Sequence, residues 1–143
     1  MTALARIPRI DVPSPREGGA FEADLRTGLN RLRLLSLRCR AARRIDVFSA
    51  CALLSLDRDE AAHAYATAFL RALPQALDRA PVFHAPGAAE ISFDEAWILR
   101  LLQAIRTRQG DSIAFLIASR VRPCHRRQIA FLAKGLSEGL ATV

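Results

Sequence analysis

Apolar residues recur at Phe21, Leu25, Leu29, Leu32, Leu35 and Cys39, at intervals of three or four, and line one face of a helix that runs to about Arg44. The next stretch, "IDVFSACALLSL" at 45–56, is apolar nearly all round, through Ile45, Val47, Phe48, Cys51, Leu53, Leu54 and Leu56. A short helix of that kind sits at the centre of a core or is covered by a partner, and the core is the simpler placement. Asp57, with Glu60 three residues on, reads as a helix start. Tyr65, Phe69, Leu73 and Leu77 supply the buried face of that helix, and Pro74 is expected to kink it or shorten its regular part.

Two prolines and a glycine in "RAPVFHAPGAAEI" (79–91) predict an interior loop that divides the protein into two helical halves. Ser92 and Glu95 form an S-x-x-E capping box, followed by an amphipathic face of Trp97, Ile98, Leu101, Leu102 and Ile105. Gln109 and Gly110 are expected to close this helix, with Gly110 as the left-handed terminal residue. Asp111 is expected to cap the next, whose Ile113, Leu116 and Ile117 face inward. Arg122 and Pro123 end it, because the residue before proline disfavours helix and proline suits a new first turn. A last helix from about 123 to 140 buries Ile129, Leu132, Ala133, Leu136 and Leu140. No strand pattern and no internal repeat is found.

Residues 1–19 hold Pro8, Pro13, Pro15, Gly18 and Gly19 without a helical period, and read as an extended or disordered arm. The alternation in "RIPRIDVP" also suits a peptide lying along a partner's groove. The fold class expected is therefore all-α: an N-terminal arm (1–19), then one compact domain (20–143) of five to six helices. At 143 residues and 51% hydrophobic composition, one core suffices to hold such a domain.

The formal charge is +7, carried by twenty arginines and a single lysine, Lys134. A GC-rich coding sequence would raise arginine content by itself. The guanidinium groups nonetheless offer planar donors suited to carboxylates and phosphates, so an anionic partner follows as an expectation. On the first helix, Arg26, Arg33, Arg40 and Arg44 fall in one narrow sector beside the apolar face, and Arg31 and Arg38 in a second. With Glu22 and Asp24 near its start, this charge order also suits the helix dipole. Cys39, Cys51 and Cys124 imply no disulfide framework. The longest uncharged apolar stretch, 47–56, is half a membrane span, and the N-terminus has no signal-type apolar run, so a soluble cytoplasmic protein without a membrane partner is expected.

"RVRPCHRRQ" (120–128) lies at the hinge between the last two helices, in the outline of a helix-turn-helix. On that reading Arg122, His125, Arg126, Arg127 and Gln128 approach bases or phosphates. Against it stand the missing turn glycine and Phe131 on the final helix; the other reading is a solvated helix start. Arginines at a helix N-terminus oppose its dipole, a misfit that calls for an offset.

Cys124 and His125, adjacent on a helix, point about 100° apart and do not form a nucleophile pair. Asp59 or Glu60 could share a face with His63, but no second E-x-x-H supplies the remaining ligands of a carboxylate-bundle site. His84 and Glu90 lie in a loop, and Cys39 and Cys51 lack metal-ligand spacing. No phosphate loop, dinucleotide fingerprint or nucleophile elbow occurs. No catalytic, metal or cofactor residue is nominated. The function expected is a non-enzymatic adaptor or regulatory subunit that meets an acidic or helical protein through its arginine-rich first helix. A homodimer could use the same surfaces. The alternative is a DNA-binding regulator working through the 111–140 helix pair, with an enzyme ranked behind both.

Overall fold

The computed structural model describes the backbone of residues 18–41 and 58–140 and the side chains of residues 23–39 and 60–139. The expected arm before residue 18, the apolar stretch 45–56 and the Asp57 cap lie outside the described residues. Among those described there are five α-helices and no strand: α1 (Gly18–Ala41), α2 (Arg58–Leu77), α3 (Phe93–Arg106), α4 (Gly110–Arg120) and α5 (Arg126–Leu140), with a 3₁₀ turn at Pro123–His125. The all-α class is that read from the sequence. Helix α1 begins at Gly18, two residues inside the segment expected as arm.

Helices α2 and α5 form the centre, with α1 packed on α2, α3 on α5 and α4 on α3. Their shared core contains Leu32, Phe69, Leu73, Ile98, Leu101, Ile129, Ala133 and Leu136, all buried and all on the faces that the three-and-four spacing selects. The α2–α5 approach depends on two glycines of α5. A Cβ on Gly135 would overlap the Tyr65 ring, and one on Gly139 would overlap Ala62. Each glycine therefore leaves room that only a hydrogen fills.

The helix ends show where local chemistry decided. Pro74 lies in the last turn of α2, which ends three residues later at Leu77; its missing N–H removes the one helical bond that would reach the Leu70 carbonyl. The chain then turns at Asp78, whose φ of 60° is left-handed, and the Ala76 carbonyl accepts the Arg122 N–H at 3.0 Å. Two expectations at the α3–α4 junction are corrected. The left-handed residue after α3 is Arg108 (φ 54°), and Gly110 instead starts α4. Arg108 N–H reaches Ile105 O at 3.1 Å and Gln109 N–H reaches Ala104 O at 3.0 Å, which is the Schellman arrangement completed two residues earlier than the glycine suggested. Asp111 lies in the first turn of α4, one residue inside Gly110, and Gln109 takes the N-cap position without a side-chain bond.

Candidate functional site

The capping box at Ser92 forms as read: Glu95 N–H donates to Ser92 Oγ at 3.1 Å, and Ser92 N–H donates to Glu95 Oε2 at 2.9 Å. Glu95 does more than cap. Arg33 donates Nε to its Oε1 at 2.8 Å and Nη2 to its Oε2 at 2.9 Å, a two-pronged ion pair between side chains 1% and 0% exposed. The remaining Arg33 donors reach Asn30 Oδ1 at 3.3 Å, Ala88 O at 3.0 Å and Glu90 O at 2.8 Å, and His84 N–H donates to Glu95 Oε1 at 2.8 Å. Every N–H of the guanidinium thus has a partner. Burial disfavours the Glu95 carboxylate, but the Arg33 bonds and the two backbone N–H donors outweigh it and hold its pKa below the usual carboxylate value.

Next to it, buried Asp94 is shared by two arginines. Arg79 donates at 3.0 and 2.7 Å, Arg120 makes a short bond to Oδ1, and Val82 N–H donates at 2.7 Å. Burial again pushes the carboxyl up; Arg79, the Val82 N–H and Arg120 together bring it down to about 2. The Arg120 guanidinium also lies over the Phe93 and Trp97 rings, 4.9 and 5.2 Å from their centroids. These two carboxylates clamp the loop between α2 and α3 from its inner side. Both are fully occupied as acceptors of charged and backbone donors, so neither is poised to exchange a proton.

The arginines of α1 therefore divide differently from the sector read on the helical wheel. Arg33, expected on a partner-binding stripe, is buried in the clamp; lying beside the apolar face, it is covered once α3 and the loop pack there. Arg26 is exposed, the Arg40 side chain and all of Arg44 lie outside the described residues, and Arg31 and Arg38 are exposed. Between these two in sequence come Leu34, next to them on the helix surface, and Leu37, roughly 60° farther round; they are 48% and 51% exposed. Beside Leu34, a cavity of about 240 Å³ opens between α1, α2 and α5. Arg31, Leu34, Leu35 and Arg38 form one wall, Ala62, His63 and Ala66 another, and Leu136 with Gly139 the floor.

In the 120–128 stretch, Arg122, Cys124, Arg127 and Gln128 are exposed, and His125 and Arg126 are partly buried. Arg126 turns back and donates to Val121 O at 3.0 Å and Ala118 O at 3.3 Å. These are carbonyls at the end of α4, so the cation at the start of α5 is offset by the negative end of the preceding helix. Arg122 pairs loosely with exposed Asp78 at 3.5 Å and, with His125, borders a shallow groove against Pro74 and Gln75.

Glu60 and His63 are exposed, the Asp59 side chain lies outside the described set, and His84 contributes its backbone to the clamp. Among the described residues no group of three His, Cys, Asp or Glu side chains could hold a metal ion, and no helix is long and apolar enough to cross a membrane. Asp94, Arg79 and Arg120 escaped the sequence reading because their only local signal is an acid at a helix start; their meeting is a tertiary event. Comparison with protein-family models, curated proteins and solved structures finds no match to this chain.

Proposed function

We propose that this protein is a non-enzymatic interaction module that binds an acidic, helical protein partner along the outer face of α1. The observation that carries this reading is the placement of half-exposed Leu34 beside Arg31 and Arg38 at a groove with an apolar floor, with half-exposed Leu37 three residues on along the same helix. A helix laid along that face would cover both leucines, each contributing on the order of 1 kcal/mol as the remaining half of its surface leaves water. Carboxylates on the partner's flank would meet the two guanidinium groups, which favour planar, two-pronged pairing. The small side chains of Ala62, Ala66 and Gly139 leave depth for an aliphatic anchor.

The test is capture from nuclease-treated and untreated lysate by the wild-type chain, by Leu34→Ser with Leu37→Ser, and by Arg31→Glu with Arg38→Glu. One protein held in stoichiometric amount by wild type, surviving nuclease and lost from both variants, supports the reading. Retention by both variants sinks it. Nucleic acid held at moderate salt and lost on Arg122→Ala with Arg127→Ala would instead favour a DNA-binding regulator, because phosphate contacts release counterions.

A further inference from the structure

The clamp described above holds its loop by the inner edge and leaves the outer edge apolar. Ser92 Oγ donates to Val82 O at 2.5 Å, which fastens the incoming arm of the loop to the outgoing one. Around that bond stand Val82, Ile91 and Phe93, 51%, 43% and 72% exposed, and Ala80 beside them is exposed too. Two buried carboxylates and a buried arginine fix the backbone of this surface, so ordering it on contact costs little. Aromatic side chains such as Phe93 are enriched at the centres of protein contacts, where apolar neighbours help to exclude water.

The charges at its two ends are opposite. Glu90 is exposed beside Ile91. At the Phe93 end, Arg79 is half exposed, and it shares the single Asp94 carboxylate with Arg120, leaving one positive charge in excess. The ends are about 10 Å apart along the extended run from Glu90 to Phe93. A two-fold rotation about the middle of such a patch sets Glu90 of one copy against Arg79 of the other and brings the apolar centres together. An acidic partner would meet Glu90 with repulsion; a basic one would meet Arg79. The surface is complementary to itself.

We propose that this loop face joins two copies of the chain in a two-fold dimer centred on Val82, Ile91 and Phe93, with Glu90 of each copy paired to Arg79 of the other. The dimer does not depend on the α1 surface, and the two can be occupied together.

Sedimentation equilibrium of the full chain, from about 1 to 500 µM, tests it. The expected result is a monomer–dimer equilibrium in that range, whose dissociation constant rises at least about tenfold in Phe93→Ser and in Glu90→Arg. Phe115→Ser serves as the control, since Phe115 is equally exposed (72%) but lies on α4; it is expected to leave association unchanged. A monomer throughout, species larger than a dimer, or loss of association in Phe115→Ser equal to that in Phe93→Ser overturns the proposal. So does association that Phe93→Ser leaves intact. Dimerisation that survives Glu90→Arg removes the two-fold charge pairing and with it this arrangement. Circular dichroism of each variant confirms that the helices are retained.

Discussion

Arg33 and Glu95, sixty-two residues apart in the chain, meet through two hydrogen bonds in the protein interior. Around this pair, helix α1, the 78–92 loop and the start of α3 are held in one arrangement. Removing either partner leaves a buried charge without compensation, which destabilises strongly, by about 3–5 kcal/mol. Arg33→Met should therefore shift the urea midpoint to much lower concentration, whereas Arg31→Met, on an exposed site of the same helix, should change the unfolding free energy by less than about 0.5 kcal/mol and leave the midpoint nearly where it was. Equal midpoints for the two variants would mean that the pair does not anchor the loop.

The acid limb of stability should be set by the same corner of the molecule. The folded pKa of Asp94 is about 2, below the ordinary value of 3.8. A depressed carboxylate contributes stability that is fully present above its unfolded pKa and disappears as pH falls through the folded one, so the loss is expected between about pH 4 and pH 2. Glu95 acts in the same direction. The slope of unfolding free energy against pH across this window should be shallower in Asp94→Asn than in wild type, with Asp94 itself accounting for roughly 2 kcal/mol.

At the α2–α5 contact, alanine is expected to do harm where helix propensity says it should help. Gly→Ala inside an exposed helix gains about 1 kcal/mol. At Gly139 the added methyl would meet Ala62, including its backbone, which cannot give way as a flexible side chain would. Gly139→Ala should lower stability by about 1–3 kcal/mol, the usual cost of overpacking, and thermal unfolding would record it as a lower Tm. A raised Tm would show that the two helices stand further apart than described.

Two neighbouring arginines offer a sharper contrast. Arg126 satisfies carbonyls at the end of α4, and Arg127 is exposed. Arg126→Ala should cost about 1 kcal/mol and Arg127→Ala almost nothing, measured by urea denaturation followed through the fluorescence of buried Trp97. The reverse order would place the helix-capping role on the wrong residue.

The helices of the second half were legible because their signals are local. The Ser92/Glu95 box, the spacing from Trp97 to Ile105 and the Arg122–Pro123 break depend on residues within a turn or two. The same is true of the apolar face of α1. What sequence spacing could not reveal was the fate of the charges. Arg33 and Arg26 share a sector on the helical wheel, yet one is buried and the other exposed, because a carboxylate from α3 arrives over only one of them. Glycine placement misled in a related way. Gly110 looks like a helix terminator, but the Ala104 and Ile105 carbonyls are already satisfied by Gln109 and Arg108. Gly135 and Gly139 carried no local signal of purpose; their role is set by Tyr65 and Ala62 on another helix. On α1 the spacing marks the buried face, but nothing in it separates Leu34 and Leu37, about half exposed, from the leucines that the core covers.

A protein partner on the outer face of α1 would be caught by placing a photo-reactive benzoylphenylalanine at Leu34 or Leu37 and irradiating living cells. A single protein adduct is expected from both positions, and none from the same group placed at Gln128 on α5. Adducts to nucleic acid at Gln128, with no protein adduct from either leucine position, would contradict it.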